Sequence, residues 1–371
     1  MCASPYRAEM WKLAWAVEAT AGIDPATAAG AASGTYINTF GVVQNVTMPD
    51  PQMDIQPFWG LGTASTRNWF VAYHGKQTLN GSIGSFMLLD GKCLRLALGT
   101  VANTTASTYK IHTISEAVNL PSISLHNTIV DADGANSFMR RYHGGKINRM
   151  TLSAQEGSFL MCSIDDMQFM GYTHNISAAT ADANVYDSYN STMQDIQPMK
   201  DIYTCDQPYL FAQGTLSLWG TTFARIRSFN LSIDNGCQAK YYIQAASHLP
   251  LPYEIREGKR TYNLNVTVDI EDTTLFRELL RMGYRNSIAV PATWNYKGFN
   301  VSISFSRGVG DSITLTSPAN QIPLCGGDSM GCLIKSAPHN ISTGELLVSV
   351  PLSITCRNLG VVVNDAYTTY V

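Results

Sequence analysis

Apolar and polar residues alternate along both halves of the chain, and this period of two predicts antiparallel β-strands with one buried face. The clearest stretch covers residues 263–270, where aliphatic side chains occupy every second position. The segments 301–305 and 346–354 follow the same rule, with aliphatic or aromatic residues at the apolar positions. Turn sequences separate the strands: DADG (131–134), QEG (155–157), DNG (234–236) and STG (342–344).

The second half of the chain repeats the pattern of the first. GKQTLNGSI (75–83) is similar to GKRTYNLNV (258–266). Three further pairs keep the same order: 40–50 with 225–235, 121–126 with 301–306, and 147–157 with 334–344. The separations stay between 180 and 187 residues. We interpret the chain as a duplicated and diverged domain; the alternative is that two β-rich halves look alike because all strands do.

The repeat divides the chain into a first β domain (1–172), a linker without hydrophobic period (173–206) and a second β domain (207–371). One helix is predicted in each half. Residues 272–283 open on an Asp or Thr cap and end on a glycine, whereas the counterpart at 85–99 is interrupted by Gly91. The predicted fold is therefore mainly β, with two tandem antiparallel β-sandwich or barrel domains, each with one packed helix.

Composition narrows the classes of function. Charged residues make up 14% of the chain, well below the usual quarter, and the net charge is −3 without a basic tract. Tight electrostatic binding of nucleic acid is therefore not expected. The apolar run from Trp11 to Val17 is broken by Lys12, so no secretion signal is expected. No stretch approaches the roughly 18 apolar residues of a membrane span.

CGGDSMGC (325–332) is the best candidate for catalysis, because it contains the G-x-S-x-G pattern around a nucleophilic serine, Ser329. That chemistry needs a helix after the serine and then Asp before His. No helical pattern follows, and His339 precedes Asp365. The chymotrypsin-like pattern fails too, because Met330 stands in place of the glycine. A glycine-rich loop is favoured, and no enzyme is predicted.

No metal or cofactor site is predicted either. Cys325 and Cys332 are too far apart for a zinc knuckle and lack a second pair. DADGAN (131–136) lacks the later ligands of a calcium loop. The eight cysteines are mostly isolated, and without a secretion signal they are expected to be reduced, half-buried thiols.

The triplet N-x-[ST] occurs nine times, which would suit a secreted glycoprotein. Several of these triplets fall inside or at the edge of predicted strands, where Asn and Ser or Thr share the wet face. We therefore interpret them as a consequence of composition. The asparagines in this position are Asn45, Asn230, Asn265 and Asn300.

Three segments carry a family resemblance. WAVEATAGIDPA (15–26) is similar to an opening strand and turn, residues 46–89 to a strand, long loop, paired strands and helix, and KINRMTLSAQEG (146–157) to a closing hairpin. The second half repeats this order from FARIRSFNLSIDNG (223–236) onwards. In this organisation the chain resembles the major tail tube protein of long-tailed (siphovirus-type) bacteriophages. The resemblance covers nearly the whole chain outside the linker, in a tandem two-domain form.

The resemblance implies a structural virion protein that polymerises as stacked rings into the hollow tail tube. Family domains form rings of six by pairing edge strands, so two domains per chain imply homotrimeric rings with pseudo-sixfold symmetry. It also implies tape-measure, tail-terminator and tail-tip proteins as partners, and viral DNA that passes without specific binding through a neutral or mildly acidic lumen. The expected location is the virion tail, after assembly in the host cytoplasm, with no membrane partner.

Long loops are expected to lock one ring onto the next. The candidates are Pro49–Arg67, which contains Phe58 and Trp59, and the equivalent Lys240–Leu251. Exposed aromatic residues often mark contacts, so Phe58 and Trp59 are the candidate inter-ring residues. The alternative is that they cover their own barrel.

Three other functions stay open at this point. The first is a two-domain β-sandwich adhesin or viral glycoprotein that binds a host receptor or sugar. The second is an enzyme that uses Ser329. The third is a related tail protein, a distal tail or terminator protein, that shares the fold but forms a single ring.

Overall fold

The chain is described here by a computed structural model. It covers residues 6–23, 38–41, 43–59, 71–106, 108–131, 137–175, 207–218, 221–223, 225–243, 250–269, 298–319, 331–338, 349–367 and 370. The expected fold class is confirmed, because this part of the chain consists mainly of strands in antiparallel sheets.

In the described part of the first half, one short helix lies among the strands. Its elements are β1 (Tyr6–Val17), β2 (Val46–Thr47), β3 (Gln52–Phe58), β4 (Val71–Thr78), β5 (Asn80–Met87), α1 (Leu94–Leu98), β6 (Gly99–Thr105), β7 (Lys110–Glu116), β8 (Ile123–Asp131), β9 (Ser137–Gln155), β10 (Met161–Gln168) and β11 (Gly171–Asn175).

The second half begins with a single 3-10 turn and continues in strands. Its elements are the 3-10 helix Phe211–Gln213, β12 (Gly214–Leu218), β13 (Thr221–Phe223), β14 (Ile226–Asp234), β15 (Gln238–Lys240), β16 (Glu254–Arg256), β17 (Thr261–Asp269), β18 (Val301–Gly308), β19 (Asp311–Ser317), β20 (Leu333–Ser336), β21 (Ser349–Cys356) and β22 (Gly360–Asp365).

Two large sheets organise the described residues. The long sheet follows the order β2-β5-β10-β9-β14-β17-β21-β20, with β8 and β11 also paired to β9 and β1 paired to β8. The short sheet follows the order β13-β12-β18-β19-β22-β7-β6. Strands β3–β4 and β15–β16 form two separate hairpins. Strands from both halves of the sequence therefore share each large sheet.

The long sheet repeats one strand order. On the path of the long sheet, the first half contributes β2, β5, β9 and β10, which we count as first to fourth along the chain. They lie side by side in the order first, second, fourth, third. The second half has the same order in β14, β17, β21 and β20. Each half also places a hairpin between its first and second strands. The proposed division at residues 173–206 stays a prediction, since only the first three of these residues, in β11, are described.

The buried faces of the strands form one core that spans both halves. Leu152, Leu231, Leu264 and Ile354 lie next to one another on β9, β14, β17 and β21, and all are buried. Burying each such side chain stabilises the fold by about 1.5–3 kcal/mol. The apolar positions of the alternating sequence pattern are thus the side chains that face this core, and the polar positions are those that face water.

Asn235 fixes the seam where the halves meet. Its side-chain amide donates to the carbonyl oxygens of Ala97 (3.1 Å) and Ile147 (2.9 Å), and its Oδ1 accepts from Arg260 Nε at 2.6 Å. The residue is 1% exposed. Because an unpaired buried amide costs about 1–3 kcal/mol, these bonds hold the end of β14 against α1 and β9.

An ion pair adds a second link across the seam. Lys146 Nζ lies 2.6 Å from Glu257 Oε1, which also accepts the backbone N–H of Leu120 at 3.0 Å. Burial alone would raise the pKa of Glu257, but the hydrogen bonds from Lys146 and the backbone outweigh it and lower the pKa of the carboxyl. The Glu257 carboxyl is therefore ionised at neutral pH.

The helix predicted at 85–99 is largely wrong. Strand β5 continues to Met87, and α1 covers only Leu94–Leu98. A Cβ at Gly91 would come within 2.4 Å of Val363, and the Gly91 N–H donates to the Tyr370 hydroxyl at 3.1 Å. Contacts of Gly91 with Val363 and Tyr370, together with the backbone hydrogen bond from Leu94 N to Gly91 O at 3.1 Å, hold the chain here.

The other predicted local elements divide into two groups. The QEG and DNG turns are confirmed, and their glycines, Gly157 and Gly236, have positive φ angles of 75° and 59°. The helix at 272–283, the STG turn and most of the DADG turn lie outside the described residues. No helix in the described part has the length and apolar character needed to cross a bilayer.

Candidate assembly surfaces

The outward face of the long sheet carries rows of uncharged polar side chains. In the central row, Ser153, Asn230, Asn265 and Ser353 are paired in register across β9, β14, β17 and β21. The rows on either side of it pair Thr151, Ser232, Asn263 and Thr355, and Gln155, Ser228, Thr267 and Pro351. The face is therefore hydrophilic without a charge in these rows. We call it the polar face.

The polar face is concave. An open trough of about 640 Å³ runs across it, lined by the central row and by the row that contains Gln155, together with Ser85, Ser336 and the apolar residues Met161 and Pro338. At one end, Arg149 and Asp234 face each other across β9 and β14 at 3.2 Å, so their charges compensate. A concave surface whose polar groups are uncharged hydroxyls and amides does not bind a polyanion tightly, because cationic groups supply most of the affinity for phosphate.

The junction of β9 with β14 shows how the two halves join. Asn235 N donates to Asn148 O at 2.8 Å, in line with the register that pairs Ile233 with Met150 and Leu231 with Leu152. In an antiparallel pair, alternate residues direct their backbone groups to the same neighbour. Leu231 and Ile233 therefore direct theirs to β9.

Strand β2 presents the matching open edge. Gly84 N donates to Asn45 O at 2.9 Å, so Asn45 faces β5, and Val46 directs its backbone groups away from β5. A Cβ at Gly84 would overlap the Asn45 side chain, which is why glycine stands here. Among the described strands, none pairs with the outer side of β2.

Strand β20 ends the long sheet on the other side. Cys332 N donates to Phe299 O at 2.7 Å and Phe299 N to Cys332 O at 3.0 Å, so Cys332 faces away from β21. By alternation, Ile334 also directs its backbone groups outwards. In the part of the chain that the structure describes, no strand pairs with Ile334 on that side. Within the described residues, the backbone groups of Val46 and Ile334 at the two ends of the long sheet are thus directed outwards without a partner strand.

The hairpin β3–β4 exposes a cluster of large apolar side chains. Phe58 is 51% exposed and Trp59 is 65% exposed. Phe58 contacts Tyr73 of β4 edge-on, with 5.8 Å between ring centroids. The sequence placed Phe58 in a loop, which is wrong because it ends strand β3. Residues 60–67 of the predicted loop lie outside the described residues, and the role of the two aromatics in a contact between rings stays a prediction.

The hairpin β15–β16 occupies the equivalent place in the second half and carries a similar aromatic pair. Tyr242 and Tyr253 contact each other edge-on at 5.6 Å and are 49% and 56% exposed. The sequence predicts a contact loop at Lys240–Leu251 but does not single out these two tyrosines. The available signal was the position of one tyrosine at the start of this loop and the other just after its end.

The catalytic candidate gains no support. Ser329 lies outside the described residues. In the described part, no three His, Cys, Asp or Glu side chains group in a way that could hold a metal ion. The described cysteines are free thiols as expected, but they are buried rather than half-buried. Asn230 and Asn265 stand on the wet face of their strands, as the interpretation of the sequons required.

Comparison with models of protein families places the chain in a known family. The model of a family described as "Phage tail tube protein" matches residues 65–356. The comparison with curated proteins gives no match.

Proposed function

Because this chain belongs to the phage tail tube protein family, we propose that it polymerises as stacked rings of three chains into the hollow tail tube that delivers the genome. Membership makes the protein a structural component of a virion tail that assembles with copies of itself into a tube. The ring composition, the lining of the tube and the contacts between copies are proposals.

The β9–β14 junction is the observation that carries the ring proposal. It joins the third strand of one four-stranded unit to the first strand of the next, and the unit order is the same on both sides. Among the described strands, the path ends in a third strand, β20, and a first strand, β2, and no described strand pairs with the outer side of either. Pairing β20 of one copy with β2 of the next is a head-to-tail contact, which generates a ring if its rotation closes.

Three chains would give a barrel with the symmetry expected for six units. Each chain contributes eight strands to the path of the long sheet, so three contribute 24. Fusing two units in one chain supports this arrangement, because it raises the effective concentration of each unit for its neighbour. A duplicated domain is the origin we propose for the repeated strand order.

The polar face is the lumen lining in this proposal. It is concave and carries uncharged rows, which suits the transit of DNA. The tape-measure, tail-terminator and tail-tip proteins are the further partners we propose, with assembly in the host cytoplasm. The exposed aromatics of the hairpin β3–β4, Phe58 and Trp59, are the proposed contact between stacked rings.

Negative-stain electron microscopy of the purified chain, combined with its mass in solution, tests the function. We expect hollow rings or tubes with threefold or sixfold views, and a ring mass of three chains. Single rings that never stack at any concentration would instead indicate a distal tail or terminator protein. A stable monomer that also fails to add to preformed tail tips would contradict the proposal.

Cysteine labelling tests the lumen assignment. With Asn265→Cys, tubes are expected to react with a small biotin-maleimide but not to capture streptavidin, because a closed barrel excludes a protein of that size. Thr113→Cys on the outer face of β7 is the matched control, since Thr113 is also an exposed strand residue. Its label should bind streptavidin in tubes and free chains alike. Equal streptavidin capture by both variants in tubes would place the polar face on the outside.

A further inference from the structure

Cys332 and Cys356 face each other across β20 and β21. The register pairs Leu333 with Thr355 and Ile334 with Ile354. Continued by one residue, it places Cys332 opposite Cys356. Both side chains are buried, at 0% and 6% exposure, and both thiols are free. This pair could not be recognised from the sequence, because the segment 333–355 separates the two residues.

The backbone hydrogen bonds define the type of this pair. Cys332 exchanges both of its backbone hydrogen bonds with Phe299, on the side away from β21. Cys332 and Cys356 are therefore a non-hydrogen-bonded pair, in which Cα atoms lie about 4.5 Å apart and side chains approach closely. A disulfide requires a Cα separation of about 4.4–6.8 Å. The pair meets that requirement without a shift of the strands.

The surroundings distinguish the two sulfur atoms. Cys332 Sγ lies 3.2 Å from Ser317 Oγ and 3.4 Å from Ser317 O. The hydrogen bond between the two thiols, together with that of Ser317, lowers the pKa of Cys332, and the same bond raises the pKa of Cys356. Cys332 is thus the better nucleophile of the two.

We propose that Cys332 and Cys356 form a cross-strand disulfide when the chain meets an oxidising small-molecule disulfide. The Cys332 thiolate attacks one sulfur of the reagent, forming a mixed disulfide and releasing one thiolate. The Cys356 thiolate then attacks Cys332 Sγ and releases the second. The two cysteine protons end on the two released thiols, and the reagent gains the two electrons that the protein loses.

The position of the bond gives it a structural consequence. Strand β20 is four residues long and ends the long sheet. Edge strands open locally more easily than central ones, which admits the reagent to the buried thiols. Once formed, the bond fixes β20 to β21. This inference does not depend on ring assembly, since both cysteines belong to one chain.

Peptide mapping of the unassembled wild-type chain tests the proposal. After treatment with oxidised glutathione under native conditions and alkylation, we expect a peptide that links Cys332 to Cys356. Hydrogen exchange of the Leu333 amide should slow by about tenfold or more, because β20 opens less often. Cys237, whose Sγ faces the Ile147 carbonyl oxygen at 4.0 Å, should remain alkylatable after unfolding and serves as the internal control.

Variants separate the proposed bond from other pairings. Cys356→Ser should abolish the linked peptide, and Cys237→Ser should leave it in place. A link from Cys332 to Cys325, or two free thiols after prolonged oxidation, would overturn the proposal. The mapping on the wild-type chain decides the question even if a serine variant folds poorly. Because no tube is needed, failure of this test leaves the proposed function untouched.

Discussion

Replacing Val46 by proline is expected to leave the chain folded and to abolish rings and tubes. Val46 directs its N–H away from β5, so no hydrogen bond within the described strands is lost. In the assembled ring, the same N–H would donate to β20 of the next copy, and proline removes the donor and adds bulk at the edge. Because every junction of the ring carries the change, closure should fail completely. Electron microscopy and sedimentation measure the loss of assembly, and circular dichroism measures the retained fold.

Two proline variants act as controls for this prediction. Val101 in β6 also directs its N–H outwards, because Ala117 N donates to Leu98 O and the register continues from there. Val101→Pro should therefore fold and still assemble. Leu231→Pro removes a donor to β9 inside the sheet and should unfold the chain, at a cost of about 3 kcal/mol or more. Tubes of normal appearance from Val46→Pro would disprove the β2–β20 contact.

The strands could be predicted because their cause is local. In β17, Tyr262, Leu264, Val266 and Val268 are buried while Asn263 and Asn265 are exposed, as alternation required. The wet asparagines of the polar face could be anticipated for the same reason. A period of two shows which side chains lie on the same face of a strand, and this can be seen from the sequence of the strand alone.

The pairing between the halves could not be predicted, because it depends on contacts between distant segments. Nothing in the sequence near Asn235 shows that its amide bonds Ala97 and Ile147. The short helix is a similar case: Gly91 was visible as a helix breaker, but the segment before α1 is held by Val363 and Tyr370, far away in sequence. Cys332 and Cys356 likewise meet only through the register of β20 with β21.

Some of the candidate contact residues could be predicted from the sequence, and others could not. The aromatic pair Phe58 and Trp59 could be singled out from the sequence, because large apolar residues in a polar segment stand out. Their partner Tyr73 on β4, and the equivalent pair Tyr242 and Tyr253, needed the hairpin geometry. A contact surface is made of several segments, and the sequence shows only the most conspicuous one.

The double substitution Phe58→Ser and Trp59→Ser is expected to stop ring stacking while rings still form. Both side chains are at least half exposed, so their loss should hardly change the stability of the chain. Truncating a central aromatic residue in a protein interface costs about 2 kcal/mol or more. If only one such residue is counted in each of the three chains of a ring, the loss is already about 6 kcal/mol, which would lower the stacking constant by about four orders of magnitude. Electron microscopy should show single rings, and sedimentation should show a ring-sized species.

A matched control separates this contact from a general loss of apolar surface. Val118 and Val309 are 93% and 100% exposed outside the hairpins, so Val118→Ser with Val309→Ser removes apolar area elsewhere and should leave tubes intact. If the hairpin variant forms tubes of normal length, the aromatics do not join rings. If it forms neither rings nor tubes, the hairpin acts within the ring, and the β2–β20 junction is not sufficient for closure. If the hairpin variant forms rings but no tubes, the edge strands close the ring and the hairpin joins stacked rings.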